Sequence, residues 1–151
     1  MEATRSAVAV WQGNLVDGSG EVSSATSSHL KNLPASWSSR TEDPEGRTSP
    51  EELLAAAHAA CFNMALSGKL ATAGYTADRL ETRADVTFSK GDDGWRVASS
   101  RLTVKGNVPG IDDAGFNDLA NAAKDGCPIS QALRGNVELS VEAALESRTP
   151  A

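Results

Sequence analysis

The order of the predicted elements indicates an α+β fold. Strand-like segments stand at the beginning, in the middle and at the end of the chain, and two segments with helical periodicity separate them. The chain has 151 residues, which is enough to bury a core as one domain. No internal repeat or linker interrupts it. We therefore expect a single α+β domain over residues 1–151.

The first third predicts a hairpin followed by a loop. Val8 and Val10 belong to a first strand and residues 21–26 to a second, with a Gly/Asp turn at residues 17–20. Residues 29–33 are expected to extend this sheet. The following stretch, residues 34–48, is rich in Ser, Pro, Gly and charge, so we expect a long loop there.

A strong helix start follows this loop. Ser49 can cap the helix, Pro50 suits its first position, and Glu52 completes a capping box. The helix is expected to run to Leu70 or Ala71, with Gly74 as its C-terminal stop.

This helix predicts a second copy of the chain. Residues 53–66 are apolar nearly all the way round, so the helix must be buried on most of its faces. One small sheet covers only one face of a helix. We therefore predict a homodimer with an extensive apolar interface.

The second half predicts a hairpin, a helix and a last strand. Residues 79–89 and 95–106 alternate apolar and polar side chains and are joined at a Gly-Asp-Asp-Gly turn. Residues 112–124 form an amphipathic helix. A short helical turn is expected after Cys127, and a strand over residues 137–145.

Composition excludes several classes of protein. The formal net charge is -6 and no basic cluster occurs, which argues against a nucleic-acid partner. The apolar run at residues 53–66 is too short to span a membrane, and the first residues lack the features of a signal peptide. We therefore expect a cytoplasmic protein with reduced thiols. Its two cysteines are too few for a zinc site and too far apart for a Cys-x-x-Cys motif.

Cys61, inside the apolar helix, is the candidate nucleophile. A free thiol is only about 3% ionised at pH 7, and burial disfavours the thiolate further. The dipole of its own helix fades before reaching it. A reactive Cys61 therefore needs a side-chain cation, for which Arg40, Arg47 and His58 are the candidates. The alternative is that both arginines are solvated and that His58 only packs.

Cys127 precedes Pro128, a residue favoured at the first position of a helix, and so stands at a helix cap. A sulfur there faces unpaired backbone amides, which stabilise a thiolate. This suits a resolving cysteine, although a cap-position cysteine without a function is equally allowed.

Three segments resemble the OsmC/Ohr family of thiol peroxidases. They are residues 49–67 (SPEELLAAAHAACFNMALS), residues 108–112 (VPGID) and residues 127–133 (CPISQAL). The resemblance covers nearly the whole chain, and the HAACF and VPGID forms are similar to the OsmC branch. It implies an intertwined homodimer in which antiparallel sheets wrap around long, central, buried helices.

The resemblance also implies an antioxidant peroxidase that reduces organic hydroperoxides, and hydrogen peroxide by the same chemistry, without a cofactor or metal. Cys61 would be the peroxidatic cysteine and Cys127 the resolving one, joined in a redox-active disulfide. Arg40 and Glu51 match the remaining catalytic residues, with Arg47 as the fallback. An external dithiol would reduce the disulfide, and Ohr-type members use a lipoylated protein for this.

The substrate contacts expected from these positions are Arg40, Trp37 and Phe62, with Trp37 and Phe62 beside the organic part of the peroxide. Phe62 is also a candidate for the core.

The spacing of the proposed catalytic residues raises a geometric problem. Ten residues separate Glu51 from Cys61, about 15 Å along a continuous helix. We therefore hypothesise that Glu51, with Arg40, reaches the Cys61 of a partner chain. Two alternatives remain: a non-catalytic member of this fold that binds a hydrophobic ligand, and a hydrolase that uses Cys61 with His58.

Overall fold

Two three-stranded sheets and four helices make up the computed structural model, which describes residues 1–146. The α+β prediction is therefore confirmed. The chain divides into two compact bodies, the first formed by Met1–Leu53 and the second beginning at Leu54. The assignment of both bodies to one domain stays a prediction. No helix among the described residues combines the length and the apolar character needed to cross a membrane.

The sheet of the first body is antiparallel and contains the predicted hairpin. Its strands are β1 (Ala7–Gln12), β2 (Ser19–Ser24) and β3 (Leu33–Ala35), in that order across the sheet. Trp11 stands opposite Gly20 in the register. A Cβ at Gly20 would come within 2.7 Å of the Trp11 ring, so glycine makes room for the indole.

The predictions for residues 29–48 were partly wrong. The third strand begins at Leu33 rather than at His29, and the expected loop contains β3 and a short helix α1 (Ser38–Thr41). Ser36 and Ser39 stabilise this turn reciprocally, because each backbone N–H donates to the other's hydroxyl, at 3.2 and 3.1 Å. The serine-rich composition is typical of a loop, but here the serines stabilise a hydrogen-bonded helical turn.

Helix α2 (Pro50–Thr72) begins where predicted and ends one residue beyond the predicted Ala71. The Glu52 N–H donates to the Ser49 hydroxyl at 3.1 Å, as a capping serine requires. The carboxylate of Glu52 accepts from the Thr48 hydroxyl instead of closing a capping box. Gly74, at φ 89°, ends the helix in the left-handed region that glycine adopts without strain.

Within one chain, α2 is buried along one side, and the predicted cover by a second chain stays a prediction. Every fourth residue from His58 to Leu70 is fully buried and forms one continuous stripe (His58, Phe62, Leu66, Leu70). Ala56 and Ala60 are exposed, and Met64 is 74% exposed. One chain therefore buries this helix along a stripe and not on most of its faces.

Besides most of α2, the second body contains a mixed sheet and two further helices. Its elements are β4 (Arg79–Gly91), β5 (Gly94–Asn107), α3 (Asp113–Gly126), α4 (Pro128–Leu133) and β6 (Glu138–Leu145). β4 and β5 form the predicted antiparallel hairpin, but β6 pairs with β5 in parallel. The expectation of purely antiparallel sheets was therefore wrong. The chain returns through α3 and α4 before entering β6, and such a crossover permits parallel pairing.

Candidate active site

The structure brings the two cysteines together within the second body. Cys61 lies on α2, and Cys127 lies at the junction between α3 and α4. Both are free thiols, and Cys127 lies close enough to Cys61 to raise the pKa of its thiol. Cys127 is fully buried, whereas Cys61 retains partial exposure. We call Cys61, Cys127 and the neighbouring amide of Ile129 the thiol cluster.

Cys127 has the predicted cap position but not the predicted contacts. Its N–H donates to the Ala123 carbonyl at 2.8 Å and ends α3, while Pro128 opens α4. The Cys127 side chain makes no capping hydrogen bond. Instead, the backbone N–H of Ile129, in the first turn of α4, donates to the sulfur of Cys61. A first-turn amide of α4, which was expected to stabilise Cys127, therefore stabilises Cys61 instead.

These surroundings set the pKa of Cys61. Burial is the largest influence and raises the pKa of the thiol, whereas the hydrogen bond from Ile129 lowers it. The neighbouring Cys127 raises it further. The resulting pKa is above the ordinary value, so the thiolate needs additional positive charge to form at neutral pH.

An arginine cluster, formed by Arg40, Glu51 and Trp37, lies in the first body. Arg40 Nη2 donates to Glu51 Oε1 at 2.7 Å, and its Nε lies 3.2 Å from Oε2. The Glu51 side chain is 8% exposed and that of Arg40 is 26% exposed. The guanidinium carbon lies 5.5 Å from the centre of the Trp37 ring, a distance suited to a cation–π contact.

Arg47 has a different environment. It pairs with Glu45 at 3.3 Å, and both side chains are largely exposed to solvent. An exposed pair of this kind is screened and holds its arginine loosely. Of the two candidate arginines, Arg40 is therefore the one held by a buried carboxylate.

An apolar groove of about 410 Å³ adjoins the arginine cluster within the first body. Trp37, Arg40 and Glu21 line it, together with several large apolar side chains (Val10, Trp11, Leu15, Val22). Trp37 was predicted from the sequence to contact substrate, whereas Trp11 and Leu15 were not. Their only signal was that large apolar residues stand in and beside a short N-terminal hairpin.

Phe62 requires a correction. Its side chain is fully buried in the core of the second body, with an accessible fraction of 0%. A side chain without accessible surface cannot contact a substrate in this structure. Its role is packing.

His58 is fully buried and bonded on both sides. Its Nδ1 lies 2.7 Å from the hydroxyl of Ser100 and its Nε2 lies 2.8 Å from the hydroxyl of Ser130. Burial lowers the pKa of His58, which favours the neutral ring. Because both ring nitrogens are occupied by serines, His58 is not placed to act as a base for Cys61. This removes the main support for a Cys/His hydrolase.

Neither serine was identified from the sequence, because Ser100 and Ser130 lie 42 and 72 positions from His58. Among residues 1–146, no group of three or more His, Cys, Asp or Glu side chains is arranged to hold a metal ion.

Comparison with known proteins identifies the family to which the chain is similar. The family described as OsmC-like protein matches residues 42–142. Peroxiredoxin OsmC of Escherichia coli (strain K12) is 42% identical over 132 residues, covering 87% of this chain and 91% of the relative. Organic hydroperoxide resistance protein OhrB of Bacillus subtilis (strain 168) is 33% identical over 96 residues, covering 63% and 68%.

The fold agrees with these relationships. The crystal structure of the organic hydroperoxide resistance protein OhrB of Bacillus subtilis matches with a TM-score of 0.72 and 27% identity, over 92% of this chain and 98% of the other. The higher identity to the Escherichia coli relative agrees with the predicted OsmC branch. The chain belongs to the OsmC/Ohr family.

Proposed function

We propose that the protein is a two-cysteine thiol peroxidase that reduces organic hydroperoxides to alcohols. The names of its relatives, peroxiredoxin and organic hydroperoxide resistance protein, support this class of activity. The observation that carries the proposal is the proximity of the two free thiols, Cys61 and Cys127, which is close enough for Cys127 to raise the pKa of Cys61. A binding protein or a purely structural member of the fold needs no such pair of thiols.

The proposed reaction has two steps at the thiol cluster. The Cys61 thiolate attacks the distal oxygen of the hydroperoxide, the O–O bond breaks, and the alkoxide takes a proton and leaves as an alcohol. Cys61 is then a sulfenic acid. The Cys127 sulfur attacks it, a disulfide forms, and the sulfenic oxygen leaves as water. Hydrogen peroxide would react in the same way and yield water in the first step.

The arginine cluster would supply the charge that Cys61 needs. A guanidinium within a few ångströms lowers the pKa of a thiol by about 1–3 units and can bind a peroxide oxygen through its fork. Glu51 would hold Arg40 in the required orientation, as its hydrogen bonds indicate. Arg40 and Glu51 thus act on charge and orientation, whereas Cys61 and Cys127 carry the electrons.

This charge would come from a second chain, in a homodimer. α2 is continuous from Pro50 to Thr72, so the ten residues between Glu51 and Cys61 correspond to about 15 Å of rise. We propose that Arg40 and Glu51 of one protomer face Cys61 of the partner subunit. The exposed apolar residues of α2, Ala56, Ala60 and Met64, support such an interface, because apolar helix surface is normally covered.

The apolar groove would receive the organic part of the substrate. Its walls favour a hydrocarbon or aromatic group, and Arg40 at the same groove would bind the peroxide oxygens. This arrangement favours organic hydroperoxides over hydrogen peroxide, which has no apolar part to bury.

An external dithiol would complete the cycle by supplying two electrons and two protons to the Cys61–Cys127 disulfide. We propose a protein-bound dihydrolipoamide as this reductant, and a cytoplasmic location in which both cysteines rest as free thiols.

The test is stoichiometric consumption of cumene hydroperoxide by the reduced protein. We expect about one equivalent to be consumed per chain and a disulfide to form. Cys61→Ser should consume none, and Cys127→Ser should consume peroxide but accumulate sulfenic acid. An inactive wild type would end the peroxidase proposal. Activity that survives Cys61→Ser would overturn the assignment of the nucleophile.

A further inference from the structure

A buried polar network connects three elements of the second body. His58 on α2 is hydrogen-bonded to Ser100 on β5 and to Ser130 on α4. All three side chains are 0% exposed. A neutral imidazole has one donor and one acceptor nitrogen, and each hydroxyl can take the complementary role. Both ring nitrogens of His58 therefore have a hydrogen-bond partner without water.

The network lies beside the thiol cluster on both of its helices. His58 precedes Cys61 by three residues, one turn of α2. Ser130 follows Cys127 by three residues and is adjacent to Ile129, whose N–H binds the Cys61 sulfur. The His58–Ser130 hydrogen bond therefore joins the two helices at the level of the cysteines.

α4 needs such an attachment. It has only six residues, and a helix this short is not stable without tertiary contacts. Apolar packing can hold a short helix in several closely related positions, whereas a directional hydrogen bond between buried groups selects one of them. An imidazole with two serine partners thus defines the position of α4 more narrowly than an apolar residue of similar size would.

We propose that His58 is a positioning residue for the thiol chemistry. Its hydrogen bonds to Ser100 and Ser130 hold the first turn of α4 against α2, so that the Ile129 N–H meets the Cys61 sulfur and Cys127 stays within reach of it. His58 acts through α4 and does not exchange a proton with substrate.

Loss of this attachment has two consequences. When the first turn of α4 moves, the Ile129 amide no longer stabilises the Cys61 thiolate. The Cys127 sulfur also leaves the narrow range of positions from which a disulfide can close. The catalytic meaning of both effects rests on the proposed roles of Cys61 and Cys127.

The experiment measures the thiols directly, without peroxide. Reduced protein is alkylated with iodoacetamide over a series of pH values, and peptide-resolved mass spectrometry follows Cys61 and Cys127 separately. The variants are His58→Leu, which removes the network, and Ser130→Ala, which removes one hydroxyl and little volume. His58→Gln retains a donor and an acceptor that can reach Ser130.

Two matched controls separate positioning from general stability. Ser99→Ala changes the serine beside Ser100, on the opposite face of β5. Leu70→Ala opens a cavity at a fully buried position on the same helix, three turns beyond His58. Neither substitution removes a member of the network.

We expect His58→Leu and Ser130→Ala to slow Cys61 alkylation at neutral pH about tenfold and to shift its midpoint to higher pH. His58→Gln should recover most of the rate, and both controls should match the wild type. After one equivalent of cumene hydroperoxide, disulfide closure should slow in the same two variants.

Unchanged alkylation profiles in Ser130→Ala and His58→Leu would overturn the proposal. A Leu70→Ala profile shifted as far as theirs would also overturn it, because the effect would then follow stability. Since alkylation needs no peroxide, a wild type without peroxidase activity would end the proposed function and leave this test intact.

Discussion

Arg40 binds Glu51 through two guanidinium nitrogens, with Nη2 at 2.7 Å and Nε at 3.2 Å from the carboxylate oxygens. The carboxylate is nearly buried, and Trp37 lies against the guanidinium. Such a pair holds the arginine in one orientation, because the planar fork matches the carboxylate. Glu51 therefore determines where Arg40 presents its charge. The proposed effect of that charge on Cys61 can be tested by substitution.

Substitution of the two arginines should have very different effects. Arg40→Ala should slow cumene hydroperoxide consumption at neutral pH at least ~10-fold, because an adjacent guanidinium lowers a thiol pKa by a unit or more. Arg47→Ala is the matched control and should retain wild-type rates, since Arg47 forms an exposed ion pair with Glu45. Stopped-flow single turnovers measure both. Equal losses in the two variants would contradict the assignment to Arg40.

Mixed dimers test whether the site is shared between chains. Glu51→Ala and Cys61→Ser homodimers should each be inactive. Co-refolded in equal amounts, they should regain about one quarter of the wild-type sites, because each mixed dimer would contain one intact site.

The control mixes wild type with a chain that carries both substitutions, whose mixed dimers should have no intact site. If each chain instead supplied its own Arg40, Glu51 and Cys61, the first mixture would stay inactive. The second mixture would then retain half of the active sites, those of its wild-type chains. Active-site counts by peroxide titration distinguish the two results.

Trp11 should contribute to the choice of substrate. Trp11→Ala removes a large apolar side chain from the groove and should raise the KM for cumene hydroperoxide roughly tenfold, in proportion to the apolar area lost. The KM for hydrogen peroxide should change little. Trp95→Ala is the control, because Trp95 is similarly exposed but stacks on Phe88 in the second body. A parallel rise for both peroxides would exclude a specificity role for the groove.

The buried His58 should make stability depend on pH. Burial lowers the pKa of His58 from its ordinary value of 6.5. Just below pH 6.5, His58 is therefore protonated more readily in the unfolded chain than in the folded protein. The contribution of His58 is therefore fully present above pH 6.5 and is lost as the pH falls through the lowered pKa.

The measurement is the urea midpoint of wild type and His58→Gln between about pH 7.5 and about pH 5.5. The wild-type midpoint should fall more steeply, because glutamine does not titrate and the carboxylates are common to both proteins. Parallel curves would show that His58 is protonated equally in the folded and unfolded states.

Local signals were sufficient for much of the fold. Ser49, Pro50 and Gly74 predicted the ends of α2, and the alternation of side chains predicted the β4–β5 hairpin. Elements that depend on unusual local hydrogen bonds or on pairing between distant strands were not predictable in this way. The Ser36–Ser39 hydrogen bonds stabilise a turn inside an apparent loop, and the direction of β6 depends on how α3 and α4 return the chain.

The sequence by itself determined the family, the extent of the long helix and the four residues proposed for catalysis, because motifs and caps involve residues a few positions apart. Only the tertiary structure decided which groups surround the two sulfurs. Ile129 beside Cys61, the serines on His58 and the burial of Phe62 each depend on contacts between distant parts of the chain. Such contacts arise when the core packs, and no spacing along the chain encodes them.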